Sequence, residues 1–204
     1  MADKKKLFLK VRTPAGIAAF SHIKEPDLKG KFADGKYKIT LKIPKGTDIS
    51  ALEEAVRQVA IDEWGKVPAD LASPFKDGDE MTDKDGKPRE EYQGMVVITF
   101  KSKKAPRLYD AKARALPKGV FPFSGDLVKV SASAAAYVST EKIKENGKLK
   151  VVESRGVTFY LNGVQLLEKR AGGFGNDFEE EEGYEGFEEE AEDDGDDGDE
   201  PRDF

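Results

Sequence analysis

The sequence predicts a mainly β fold, an antiparallel barrel with one α-helix, followed by an acidic tail that builds no core. Three observations carry this. Six or seven segments alternate apolar and polar residues with the period of two that a half-buried strand requires. One segment alone follows the 3.6-residue period of a helix. No strand–helix–strand alternation is present, which argues against a doubly wound sheet.

The first strand is Lys6 to Arg12, with Leu7, Leu9 and Val11 on one side and Phe8, Lys10 and Arg12 on the other. After the turn Thr13-Pro14-Ala15-Gly16, Ile17 to Ile23 forms a second strand with Phe20 and His22 on one face. Lys36 to Ile43 alternates most cleanly: Tyr37, Ile39, Leu41 and Ile43 pack, while Lys36, Lys38, Thr40 and Lys42 form a basic face that Pro44 terminates. Ser50 reads as a helix N-cap with Glu53 completing a capping box. Leu52, Ala55, Val56, Val59 and Ala60 then make the apolar stripe of a helix ending near Trp64-Gly65.

Residues 66–93 are rich in Pro, Gly, Asp and Lys and read as a long exposed connection, a mobile hairpin. Met95 to Lys101 is a strand with Val96, Ile98 and Phe100 inward, and a short strand follows around Leu108 to Lys112. In Leu127 to Val138 the residues Val128, Val130, Ala132, Ala134, Ala136 and Val138 share one face, and Lys129, Ser131, Ser133 and Tyr137 the other. Asn146-Gly147 marks a turn. In the last strand, Gly156 to Glu168, Val157, Phe159 and Leu161 have one parity and Val164 and Leu166 the opposite one, which a bulge at Asn162-Gly163 reconciles.

The net charge of −6 hides a division. Residues 171–204 hold 17 Asp or Glu against one Arg, a net of −16; residues 1–170 hold 33 Lys or Arg against 23 acidic residues, a net of +10. Such asymmetry points to a nucleic-acid-binding body with an acidic tail. From Gly172 onward the chain offers only isolated aromatics, Phe174, Phe178, Tyr184, Phe187 and Phe204, so 1–170 is expected to be the folded domain and 171–204 a disordered tail. The absence of cysteine excludes disulfides, thiolate zinc sites and a Cys nucleophile. The charged N-terminus has no apolar segment after it long enough for a signal peptide or membrane span, so a soluble protein of a reducing compartment is expected.

The residues offer little for catalysis. His22 is the only imidazole and no nucleophile elbow accompanies it. Asp83, Asp85 and Gly86 imitate a calcium loop whose twelfth position is Gly94 rather than a bidentate Glu. The acidic cluster Asp193 to Asp199 is a solvated charge run, and Gly172-Gly173-Phe174-Gly175 lacks the strand–turn–helix context of a phosphate loop. No enzyme activity, metal or cofactor is expected.

Single-stranded nucleic-acid binding requires cations that track phosphates and aromatic faces on which bases stack. The outward faces supply both. Lys36, Lys38 and Lys42 line one strand; Lys101, Lys103, Lys104 and Arg107 form the densest basic cluster, beside Tyr109; Lys129 and Tyr137 share a side; Tyr160 lies opposite the inward Phe159; and the candidate stacking rings are Tyr137 with Tyr109, Tyr160 or Phe20.

The segments Phe20 to Asp27 (FSHIKEPD) and Gly35 to Pro44 (GKYKITLKIP), the helix after them, the strand LVKVSASAAAYV (127–138), the GGFG junction and the acidic tail closing on Asp203-Phe204 resemble the single-stranded DNA-binding proteins of T-seven-type bacteriophages. The resemblance spans most of the chain in order. Residues 66–93 and 114–126 do not match, and Pro201-Arg202 interrupts the acidic run before the terminal aromatic. It implies an OB-fold-like barrel with one α-helix, no enzymatic activity, and a role in phage DNA replication, recombination and repair in the cytoplasm of the infected bacterial host. It further implies that such a protein coats single strands, helps anneal complementary ones, and contacts the replication polymerase and helicase-primase through its tail. Tyr137 matches a base-stacking position, the Lys101–Arg107 cluster a basic groove, and Asp203 and Phe204 the partner-binding end.

A tail of 34 residues spans roughly 30–35 Å, enough to lie over the basic face as a tethered competitor of DNA. A tail that docks on a neighbour's groove would also make a homodimer. Two alternatives compete: an acidic-tailed chaperone for basic proteins, and a metal-dependent nuclease using Asp77, Asp79, Asp83 and Asp85. Duplex recognition is disfavoured because the one helix carries Glu53, Glu54, Asp62 and Glu63 rather than a basic face.

Overall fold

A computed structural model describes residues 6–28, 33–145 and 148–170, with side chains placed for all of these except 141–145 and 148–150. The expected Asn146-Gly147 turn and the whole tail, with Asp203 and Phe204, lie outside the described residues. Eight strands and one α-helix follow in the order β1 (Leu9–Arg12), β2 (Gly16–His22), β3 (Tyr37–Pro44), α1 (Ser50–Trp64), β4 (Phe75–Asp77), β5 (Met95–Ser102), β6 (Arg107–Tyr109), β7 (Leu127–Glu145) and β8 (Lys148–Glu168). Two short 3-10 turns, Gly78–Glu80 and Glu90–Tyr92, separate β4 from β5.

The ring runs β7–β2–β3–β5–β8, and β8 pairs back onto β7 to close it. All its pairs are antiparallel except β5–β8, which is parallel. Two seams rest on only two residue pairs each, β2–β7 (Gly16 with Val128, Ile17 with Leu127) and β5–β8 (Phe100 with Phe159, Lys101 with Tyr160), so the ring is closed only narrowly there. A five-stranded ring of this kind is the OB-fold architecture, as the resemblance implies. β1 extends the sheet beyond β7, β6 adds to the edge of β8, and β4 lies on β5.

The alternation read in β3 is the burial that occurs: Ile39, Leu41 and Ile43 are fully buried. Opposite them Ile98 and Phe100 of β5 are fully buried, and Phe100 meets Phe159 of β8 at a ring-centroid distance of 5.6 Å. Helix α1 buries the stripe Leu52, Ala55, Val56, Val59 and Ala60, and packs on β7, β1 and β8. Each large apolar side chain so removed from water stabilises the fold by about 1.5–3 kcal/mol. The bulge in β8 is where the parity switch placed it: Ser131 faces Gly163 and Ala132 faces Leu161, so Asn162 is the extra residue. Its side-chain amide donates to Ser133 Oγ at 2.8 Å.

Four details differ from the sequence reading. The helix is not capped by a Ser50–Glu53 box: Ile49 is the N-cap residue without a side-chain bond, and Asp48 Oδ1 accepts from the Ser50 amide at 2.9 Å, one residue outside. Gly65 ends the helix in the left-handed conformation, φ 74°. Residues 66–93 are largely exposed and contain a hairpin bridge between Thr82 and Pro88, yet they also build a layer on the barrel. There β4 pairs with β5, Phe75 packs on Phe159 at 6.0 Å, and Tyr92 is buried. β6 is Arg107–Tyr109, shifted back from Leu108–Lys112 because Asp110 Oδ1 accepts from the amides of Lys112 and Arg114 and turns the chain. Finally, β7 and β8 continue past Val138 and Arg155 as a two-stranded extension of about 24 Å, so Val138, expected inside, is half exposed.

Candidate nucleic-acid interface

On the outer face of the barrel β3 and β5 set Lys38 opposite Lys101, Thr40 opposite Thr99 and Lys42 opposite Val97, while β8 places Tyr160 beside Lys101. Thr40 and Thr99 join hydroxyls across the strands at 3.1 Å. Between this face and the start of the β7–β8 extension lies a groove of about 810 Å³. Lys36, Lys76, Lys101, Lys103 and Lys104 line it, Tyr137 and Tyr160 provide its aromatic surface, and among the described residues no carboxylate is in its walls.

Both tyrosines are held by neighbours. Tyr137 stands opposite Gly156, and its ring lies directly on the glycine: a Cβ there would sit 2.5 Å from Tyr137 Cζ. Tyr160 is 41% exposed and its ring is 6.0 Å from that of Phe8, itself 54% exposed. Two large aromatic rings left open to water beside lysines are the kind of surface on which bases can stack.

The lysines are not all free. Lys101 Nζ donates to Asp34 Oδ2 at 2.9 Å, and Lys36 Nζ lies 3.9 Å from the same oxygen. The hydrogen bond from Lys101 holds the Asp34 carboxyl below the usual carboxylate range against the opposing effect of desolvation. Asp34 Oδ1 is buried without a hydrogen-bond partner. The carboxylate thus places one negative charge between two groove lysines. Lys38 is paired with Asp27 and is mostly covered.

Of the residues picked from the sequence, Lys36, Lys101, Lys103, Lys104, Tyr137 and Tyr160 meet in the groove. Arg107 and Tyr109 line a neighbouring depression that shares Ser102 and Lys104 with it, and Lys129 lines a third that shares Tyr109 with the second. Lys42 is placed apart, 5.3 Å from the Tyr92 ring centroid and donating to the Glu91 carbonyl at 3.2 Å.

A family model for the single-stranded DNA-binding protein of Enterobacter phage Enc34 matches residues 9–196. The chain belongs to this family. Among solved structures, the single-stranded DNA-binding protein from bacteriophage Enc34 in complex with ssDNA superposes with a TM-score of 0.56 at 16% identity, covering 83% of this chain and 94% of that one. A second structure of the single-stranded DNA-binding protein from bacteriophage Enc34 gives 0.55 at 17% identity, over 87% and 94%. The gp2.5 single-stranded DNA-binding protein encoded by bacteriophage T7 gives 0.50 at 20% identity, over 89% and 100%. A comparison with curated protein sequences gives no match.

In this member of the Enc34 family, the groove draws in residues that sequence reasoning missed: Lys76 in its wall, and Phe8, Asp34 and Gly156 against the lining residues Tyr160, Lys101 and Tyr137. Phe8 was legible in principle, as the one aromatic on the polar side of its strand. Lys76 enters the groove only because β4 pairs with β5, and the role of Gly156 depends on a register no local pattern reveals. The carboxylates of the nuclease alternative are engaged elsewhere. Asp77 and Asp79 both hold Lys45 at 2.6 Å, Asp79 also accepts from the Gly94 amide, and Asp83 Oδ1 closes the hairpin turn by accepting from Asp85 and Lys87. Among the described residues no group of three or more metal-binding side chains occurs, and no helix is long and apolar enough to cross a membrane.

Proposed function

We propose that the protein binds single-stranded DNA along the Lys101–Tyr137 groove and acts, without enzymatic activity, in phage DNA replication, recombination and repair, strand annealing included. The observation that carries this reading is the groove itself, five lysines around the exposed Tyr160 and the half-buried Tyr137 with no carboxylate in its walls among the described residues, on the face an OB-fold uses for oligonucleotides. Tyr137 and Tyr160 stack bases, each worth about 1–3 kcal/mol. Lys36, Lys76, Lys101, Lys103 and Lys104 track the phosphates, and Arg107, Tyr109 and Lys129 continue the path into the adjoining depressions. Stacking and phosphate contacts read no base edges, so binding is indifferent to sequence.

The tail, net −16, competes for the groove. Bound DNA frees it, and Asp203 and Phe204 then engage the replication polymerase and helicase-primase in the cytoplasm of the infected host. Linkage requires that those partners in turn favour DNA binding. Titrating Trp64 and tyrosine fluorescence with poly-dT and with duplex of equal length tests the reading. Saturable quenching by the single strand, weakened by salt, is expected. Equal affinity for duplex, or a flat salt response, would overturn it.

A further inference from the structure

Phe20 is an outlier twice over. Its φ is +46°, in the left-handed region that L-residues with a bulky side chain disfavour, and its ring is 49% exposed. A glycine would relieve the first and a polar residue the second, so stability explains neither. The conformation belongs to a bulge: pairing of β2 with β3 slips between Ala19 and His22. Its neighbour Ser21 is tied on both sides, the hydroxyl donating to the Pro122 carbonyl at 2.8 Å and the amide donating to Ser124 Oγ at 3.3 Å. Backbone conformations over-determined in this way concentrate at ligand clamps.

The ring has a cationic companion. The Arg89 guanidinium carbon lies 5.6 Å from the Phe20 centroid and 4.8 Å from that of buried Tyr92, and Glu91 fixes it through Arg89 Nε at 2.9 Å. Lys42 lies over the same Tyr92 ring. Arg89 thus lies against the exposed aromatic, and a second cation, Lys42, shares the neighbouring Tyr92 ring. By strand parity Lys42 shares the outer face with Thr40 and Lys38, so this cluster lies ~13 Å along β3 from the Lys38–Lys101 pair at the edge of the groove.

We propose that Phe20 and Arg89 form a second base-stacking station on the same DNA path. A strand leaving the groove crosses the Thr40–Thr99 pair, stacks a base on the Phe20 ring and sets its phosphates near Arg89 and Lys42. Lys42, apart from the groove in the structure, thereby has a place on the path. The inference rests on the single-stranded DNA reading above.

The test compares wild type, Phe20→Gly and Phe20→Trp (the last with Trp64→Phe, so that its indole is the only one) against short and long oligothymidylates. Melting curves confirm that each variant is folded, and Phe20→Gly should melt no lower than wild type because glycine accepts the positive φ. Phe20→Gly should bind long oligomers roughly tenfold more weakly and short ones, which fill only the groove, as wild type does. The indole of Phe20→Trp should be quenched by long oligomers alone. If wild type binds and Phe20→Gly matches it at every length, or the indole is never quenched, the second station is wrong while the groove stands. If wild type binds no oligothymidylate, the functional reading itself fails.

Discussion

A Cβ at position 156 would lie 2.5–2.6 Å from Tyr137 Cζ, Cε1 and Oη, closer than real atoms approach. Gly156 is therefore a positioning residue for the ring opposite: its lack of a side chain lets Tyr137 lie flat on the strand with its other face toward the groove. Gly156→Ala should displace that ring and weaken single-strand binding about tenfold, within the range for losing one stacked base. A melting temperature near wild type would separate this from unfolding, and unchanged affinity in a fluorescence-anisotropy titration would refute the placement of Tyr137. Asp34 acts with the opposite sign. Its carboxylate already neutralises Lys101 and shields Lys36. Asp34→Asn should tighten binding several-fold and steepen the log–log salt slope by about 0.7, one more phosphate contact. Because Asp34 titrates below the usual carboxylate range, it stays ionised above about pH 5. The gain from Asp34→Asn should thus be constant from pH 5 to pH 8; a gain that grows steadily with pH across that interval would point to another group.

At the scale of elements, the β8 bulge decides which residues face the core. Val157, Phe159 and Leu161 before it, and Val164 and Leu166 after it, are all buried although their parities differ. Deleting Asn162 forces one set outward, a loss of several side chains at about 1.5–3 kcal/mol each, so the deletion variant should not fold cooperatively. Asn162→Ala removes only the bond to Ser133 and should cost about 1 kcal/mol, measured as a lowered urea midpoint with an unchanged slope. A deletion variant that melts like wild type would show that β8 can slide. This bulge was legible because a parity switch is visible wherever both halves of a strand are apolar. The β3 and α1 faces were legible for the same reason: burial is written as periodicity. β4 was not, since three residues carry no period and Phe75–Asp77 are strand only through their pairing with β5. The β7–β8 extension was missed because none of the side chains described beyond Val138, at 139–140 and 151–155, is buried, so alternation there has no core to record. The helix cap misled because Ser50 and Glu53 have the right spacing, while Asp48, two residues before Ser50, reached its amide first. In the site, residue types were legible and their convergence was not: Lys38 and Lys42 share a strand face with Lys36, yet Asp27 occupies one and Tyr92 holds the other away from the groove.

The whole molecule sets a body of net +10 against a tail of net −16 on one chain. If the tail occupies the groove, DNA binding is an exchange of one polyanion for another, and the salt dependence must report it. A strand that neutralises about 4–6 groove cations on its own releases counterions with a log–log slope of about −3 to −4. When the tail leaves at the same time, its carboxylates recapture cations, and the net release is smaller. The chain truncated after Arg170 should accordingly bind poly-dT more tightly at low salt and with the steeper slope. The two curves should converge as the Debye length contracts from about 10 Å at 0.1 M toward 3 Å at 1 M. Parallel curves with a fixed offset would mean that the tail alters affinity without touching the groove, and coincident curves would mean that it does not act on binding at all. Convergence is the signature of competition, because only a ligand held by the same lysines loses its grip with salt as DNA does.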